Sequence, residues 1–380
     1  MGIKLISILP TKGQAKVLKF YFTFLMALTG ACSNQTVHKA PLNDNTTTIK
    51  STTDTTFRLN FPSGIRSILE DSQGNFWFGS HQEGLCLFDG KKMTYFTTKN
   101  GLSDNQIRSI FEDSNGKIWF EGGNGISSYD GKKITTHTEK DYSATDKWQT
   151  AKNDLWFKGD EISHYNQQEQ HPGVYRYDGN LLSYLILPIS SKENYDFSYS
   201  ISTPFCKGKN GMVWFGTYNA VFGYNGTAFT IIDNKSLGLN ETTGYLHVRS
   251  IFEDSKGKLW IGNNGIGVLQ YDGDTTINFS AVQGLISANS QHSGGYRSPP
   301  KSLEHVFAIG EDTKGNIWFG DRDTGAWKYD GKSMQNYTLK DGLTATHIWQ
   351  IYNTKAEKLW FALADGSIFQ FNGTSFDRVF

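Results

Sequence analysis

Phe111-Glu112-Asp113-Ser114-Asn115-Gly116-Lys117-Ile118-Trp119-Phe120 decides the fold, because close copies of it recur along the chain. Ile68-Leu69-Glu70-Asp71-Ser72-Gln73-Gly74-Asn75-Phe76-Trp77-Phe78-Gly79 is one copy, and Ile251 to Gly262 and Ile309 to Gly320 are two more. A plain repeat at this spacing marks a propeller or a solenoid. Within each copy the Asp is placed to accept backbone N–H groups, and the Gly supplies a positive φ for a tight turn.

A second signature follows the first. An aromatic residue before Asp-Gly or Asn-Gly occurs at Phe88, Tyr129, Tyr177, Tyr224, Tyr271, Tyr329 and Phe371. Such pairs favour a type I′ hairpin. Each is preceded by a repeat Trp: Trp77, Trp119, Trp156, Trp214, Trp260, Trp318 and Trp360. From Trp to turn the gap is 11 or 12 residues in six units and 22 in the third. Every unit therefore reads as four strands, A to D, with the Trp on strand B. The chain is predicted to be all-β, a single seven-bladed β-propeller of four-stranded antiparallel blades over 55–380. The Trp residues read as core between blades. Either 55–60 or 375–380 is available as the outer strand of the last blade.

The totals agree with many short strands. Aromatic residues make up 14% of the 380 and Gly is frequent. Net charge is zero, which excludes the electrostatic footprint of a nucleic-acid binder. Three Cys are too few for a disulfide framework, and Cys86 and Cys206 read as free thiols on opposite sides of the disc.

Residues 1–31 read as an export signal. Lys4, Lys12, Lys16 and Lys19 precede the apolar run Phe20 to Leu28, which ends in Leu28-Thr29-Gly30-Ala31-Cys32. That ending resembles a bacterial lipoprotein box, which implies acylation of Cys32 and anchoring in a lipid bilayer. Ser33 after the Cys implies the outer membrane, on its periplasmic or surface face. Residues 32–54, rich in Thr, Asn and Lys, read as a flexible tether.

Taken together, the Glu-Asp turn, the hydrophobic-Trp pair, the aromatic-Asp-Gly turn and the closing Gly101-Leu102, Gly238-Leu239, Gly284-Leu285 and Gly342-Leu343 resemble the two-component regulator propeller family. The resemblance covers 57–380 and is looser in units 3, 4 and 7. It implies a periplasmic sensor propeller of the kind carried by hybrid histidine kinases, many of which are thought to sense glycans. No membrane helix, kinase or receiver domain follows the propeller in this sequence, so the implication reduces to binding something outside the inner membrane.

Variable segments fall in the B–C loops and D–A connections, which emerge on one face. The longest are 158–173 and 286–302, the latter carrying His292, Tyr296 and Arg297. On the A strands one repeat position holds Arg66, Arg108, Arg249, Phe307 and Trp349, with Thr203 in unit 4 and Trp148 as a candidate in unit 3. Guanidinium planes beside aromatic rings suit sugars or carboxylates. With Tyr296 and Arg297 these residues form the predicted ligand site at the channel mouth. Two positions earlier stand His247, His305 and His347, a set with the spacing for a divalent metal. No other motif suggests catalysis. The chain reads as a non-catalytic, lipid-anchored ligand-binding or sensor-type propeller that takes a glycan or other small molecule and needs no cofactor. Two alternatives stay open: a scaffold for an envelope protein partner, and a metal-dependent lyase or hydrolase using the three His.

Overall fold

The computed structural model describes residues 57–137, 147–158, 173–189 and 199–380. The export signal, Cys32 and the tether lie outside these residues, as does nearly all of the long third-unit loop. The described residues form seven antiparallel sheets in chain order, which are the seven blades. Blade 1 consists of Ile65–Glu70, Phe76–Ser80, Leu85–Phe88 and Met93–Phe96. The others span 107–137, 155–186, 206–233, 248–278, 306–337 and 348–378. Six have four strands. Blade 3 has three among the described residues, Leu155–Lys158, Gly173–Tyr177 and Leu182–Ile186, with no inner strand. Among the described residues, helical structure is confined to Phe279–Val282 and short 3-10 turns.

The repeated Glu-Asp pair divides its labour. The Asp works inside its own blade. Asp113 accepts from the backbone N–H of Asn115 at 2.9 Å and Lys117 at 3.0 Å, and from the Trp119 indole at 2.9 Å. Asp71, Asp254 and Asp312 hold Trp77, Trp260 and Trp318 at the same distance. The Glu works between blades. Glu112 accepts from the Ser72 N–H of blade 1 at 2.7 Å, and Glu311 from the Ser255 N–H of blade 5 at 2.6 Å. The repeat Trp residues are core, as expected: all seven are buried, packed among aliphatic and aromatic residues of their own and the neighbouring blade.

One expectation is corrected and one open alternative is decided. The Asp-Gly turns are not type I′, because only the Gly has a positive φ, as at Gly90 (84°). Each is a four-residue connection, Phe88 pairing with Met93 across it. The Asp89 carboxylate accepts from the N–H groups of Lys91 at 2.9 Å and Lys92 at 2.8 Å. A side-chain acceptor thus replaces the second positive φ. At the other end of the chain, Phe376–Arg378 supplies the outer strand of blade 7. Residues 57–60 form no strand. They pack on blade 1, with the Phe57 ring 4.7 Å from Phe88 and the Asn60 N–H donating to Tyr95. Among the described residues, blades 7 and 1 are joined by side-chain packing and hydrogen bonds. Phe76 lies 4.7 Å from Trp360, Phe78 lies 4.9 Å from Phe380, and the Glu70 N–H donates to Tyr352 at 2.7 Å.

Candidate functional site

The inner strands surround an axial cavity of about 250 Å³. A β-bulge interrupts each of five inner strands at the same repeat position. The ladder skips between Ile65 and Ser67, Ile107 and Ser109, Val248 and Ser250, Val306 and Ala308, and Ile348 and Gln350. The skipped residues are Arg66, Arg108, Arg249, Phe307 and Trp349. A bulge re-aims the extra side chain, and all five line the cavity. The predicted ring is thus brought together. In blade 4 its counterpart is Ser202, because Ile201 bridges Thr217 as Ile65 pairs with Ser80. Thr203, the residue expected there, instead bonds the Gly216 N–H at 2.8 Å, although it also borders the cavity. Trp148 belongs to a different place. It stacks on Trp156 and Phe215 between blades 3 and 4.

The ring is held by stacking. The Arg66 guanidinium lies 4.6 Å from the Trp349 ring across the junction of blades 1 and 7. Arg249 lies 5.1 Å from Phe307 and 5.4 Å from Tyr218. Arg108 Nε donates to Gln106 at 2.6 Å. Burial, then repulsion from Arg108 and Arg249, lowers the Arg66 pKa to about 10.

Sequence reasoning missed two charged residues here. Glu121 and Lys158 stand where four other blades carry the glycine after the Trp pair, Gly79, Gly216, Gly262 and Gly320, and blade 7 carries Ala362. A large side chain has little room beside a neighbouring inner strand. A Cβ at Gly79 would fall 2.6 Å from Ile107, and one at Gly320 2.7 Å from Ile348, on the next blade's inner strand. The described residues of blade 3 include no inner strand, and Glu121 on blade 2 turns into the cavity, where its carboxylate accepts the Lys158 N–H at 2.8 Å. Burial pushes its pKa up, against the Lys158 N–H, Arg108, Lys158 and Arg66, which pull it down. Two consecutive departures from glycine were the available signal.

The three His are not gathered around one point. Among the described residues no three His, Cys, Asp or Glu could share a metal ion. His347 lies against Trp349 at 4.2 Å and His247 meets Tyr218 edge-on at 4.9 Å, each beside the ring, and burial lowers both pKa values to about 4. His305 is turned to the insertion 286–302 instead. Its Nδ1 meets Ser298 Oγ at 2.6 Å and Asp323 at 3.1 Å, and its Nε2 meets the Ser293 carbonyl at 3.2 Å. Burial opposes ionisation of Asp323, but hydrogen bonds from His305, Arg322 and the Ser298 N–H outweigh it and hold its pKa below the carboxylate range. Arg322 fastens the same insertion, donating to the Gly294 carbonyl at 2.7 Å and to the Tyr296 carbonyl. Tyr296 and Arg297 are exposed on this insertion and do not line the cavity. Cys86 and Cys206 are free thiols.

What the fold and the site define is a seven-bladed propeller with an Arg-and-aromatic axial cavity. Its repeats are those of the two-component regulator propeller family, whose profile matches residues 61–82, 101–120 and 244–265. No curated protein is significantly similar. Among solved structures, the extracellular domain of the putative hybrid two-component system BT3049 from B. thetaiotaomicron is 20% identical with a TM-score of 0.56. The match covers 83% of this chain and 39% of that one, so this chain corresponds to well under half of that domain. Virginiamycin B lyase from Staphylococcus aureus is 16% identical with a TM-score of 0.57, covering 83% of this chain and 97% of that one. YCF48 from Cyanidioschyzon merolae is 12% identical with a TM-score of 0.50, covering 82% and 96%. At these identities the likeness is one of fold. No helix among the described residues is long and apolar enough to cross a membrane.

Proposed function

We propose that the chain is a non-catalytic, ligand-binding propeller of the bacterial cell envelope, taking a glycan or glycan fragment in its axial cavity. One observation carries this reading. Buried polar atoms in native proteins are paired with protein, water or ligand, yet unpaired ones concentrate here. Ser109 Oγ, Arg249 Nε, Trp349 Nε1 and Gln350 Oε1 are buried without a protein partner, and all four residues line the cavity. The Nε2 atoms of His247 and His347, on rings beside it, are in the same condition. Donors and acceptors mixed around aromatic faces match the hydroxyls and ring faces of a sugar. The extracellular domain of similar fold, from a putative hybrid two-component system, supports the envelope location. The test is a glycan array followed by titration calorimetry with a soluble 55–380 fragment. Binding that is lost in Trp349→Ala supports the reading. Absence of binding to every sugar overturns it in favour of a protein-interaction platform.

Anchoring through acylated Cys32 is part of the same proposal, supported by the residues preceding that Cys. The expected result is that the full chain, expressed in a Gram-negative host, incorporates labelled palmitate and partitions into detergent. Cys32→Ala should do neither. Equal labelling of the two proteins would rule the anchor out.

A further inference from the structure

Granted that the axial cavity binds a ligand, as proposed above, its charge narrows the class. Among the described residues the lining carries four cationic side chains, Arg66, Arg108, Arg249 and Lys158, and one carboxylate, Glu121. Packing like charges together at low dielectric opposes folding. Burial, followed by the repulsion of Arg108 and Arg249, already draws protons away from Arg66. Such a cluster does not serve the scaffold, since the inner strands of blades 6 and 7 carry Phe307 and Trp349 at the same bulge and close equally well. An arrangement that breaks the repeat and opposes stability is the mark of a functional site.

The geometry of the donors is directional. Arg66 and Arg249 are held by their faces, over Trp349 and over Phe307 and Tyr218. Stacking of this kind leaves the N–H edge of a guanidinium for a planar acceptor with two oxygens. Arg249 Nε and Trp349 Nε1 are N–H donors without an acceptor. A cavity of about 250 Å³ has room for one ring-sized group rather than a chain.

The rest of a longer ligand has an exit. A second hollow opens over blades 1 and 2, lined by His81, Gln82, Asp104, Gln106 and Asn124, and Arg108 borders both spaces. Its amide and carboxylate groups suit hydroxyls. It lies away from the insertion 286–302, which Arg322 and His305 fasten at blades 5 and 6.

We propose that the axial cavity takes the carboxylate-bearing end of a sugar acid, a uronate at the end of a glycan. Arg66, Arg108 and Arg249 clamp the carboxylate, Trp349 and Phe307 border the ring, and the next sugar lies in the hollow over blades 1 and 2. Glu121 is the resident counter-charge and competes with the ligand.

The test is calorimetric titration of the soluble chain with glucuronate and galacturonate, with their methyl esters as neutral matches, and with acetate and sulfate as plain anions. At least one uronate should bind, with its methyl ester about tenfold or more weaker. Arg249→Gln should weaken the uronate by a similar factor, with thermal melting confirming the fold. Glu121→Gln should strengthen uronate binding by more than it changes ester binding, a gain that misfolding cannot produce. A digalacturonate binding more tightly than galacturonate supports the outer hollow. Esters or neutral sugars that bind as tightly as the acids overturn the inference and leave the ligand-binding reading intact. So does Glu121→Gln weakening the acid. Acetate or sulfate binding as tightly as the uronates reduces the site to a plain anion trap and overturns the sugar-acid class. No binding by any acid or sugar overturns both readings.

Discussion

Gly262→Val should lower the stability of the propeller by about 3 kcal/mol, the upper part of the range for overpacking a close-packed interior. A Cβ at this position would lie 2.2 Å from Ser250 Oγ and 2.7 Å from the carbonyl oxygen of Val306. The serine can rotate away. The carbonyl belongs to the inner strand of blade 6 and cannot retreat without moving that blade against its neighbours in the closed ring. Valine adds two further methyls in the same direction. Gly295→Val is the control, because its added Cβ meets nothing nearer than Ser293 Oγ at 3.8 Å and the residue is exposed. Its effect should stay within about 0.5 kcal/mol. Urea denaturation of the soluble fragment measures both. Equal midpoints for the two variants would show that the blades yield to a side chain here. The close approach of the next blade would then not account for the glycine.

Asp254→Ala should cost about 3 kcal/mol, because it strands a buried indole and two turn N–H groups. The Asp254 carboxylate accepts from Lys256 and Lys258 N–H at 2.9 Å and from Trp260 Nε1 at 2.9 Å. Both Asp254 and Trp260 are buried. Blade 7 shows the deficient state naturally. Thr354 replaces the Asp, the Trp360 indole N–H has no partner, and Glu357 occupies the turn at φ 59° where other units place glycine. The double substitution Thr354→Asp with Glu357→Gly should therefore stabilise by about 1–2 kcal/mol, combining relief of a left-handed non-glycine residue with one net hydrogen bond. Thermal and urea denaturation read both directions. A wild-type midpoint for Asp254→Ala would show that the indole finds another partner and that the repeated Asp is a turn residue only.

Much of the scaffold was legible because it is local. Asp113, Gly116 and Trp119 lie within one turn and one strand, so residue type and spacing state their roles directly. The aromatic-Asp-Gly turns were located correctly but mistyped. Asp-Gly is compatible with two turn geometries, and the hydrogen bonds from Lys91 and Lys92 to the Asp89 side chain decide between them. The ring of Arg66, Arg108, Arg249, Phe307 and Trp349 was found by aligning repeats. Thr203 was placed one residue off, because a bulge shifts register without leaving a sequence mark. The three His share a repeat position and still separate, since His305 follows the insertion of its own blade through Ser298 and Asp323. A repeat alignment carries no information about a loop that only one repeat possesses.

By itself, the sequence determined the number of blades, the turn between strands A and B, the buried Trp of each blade and the repeat position that holds Arg66, Arg108, Arg249, Phe307 and Trp349. All of these depend on contacts within a single unit or on its repetition. The tertiary structure alone decided which of them make a site. Arg66 meets Trp349 only when the ring closes, with 282 residues of chain between them. Glu121 and Lys158, from blades 2 and 3, meet at the cavity wall, where the Glu121 carboxylate accepts the Lys158 N–H. Closure of the ring is a property of how blades pack, and packing sets where the charges converge.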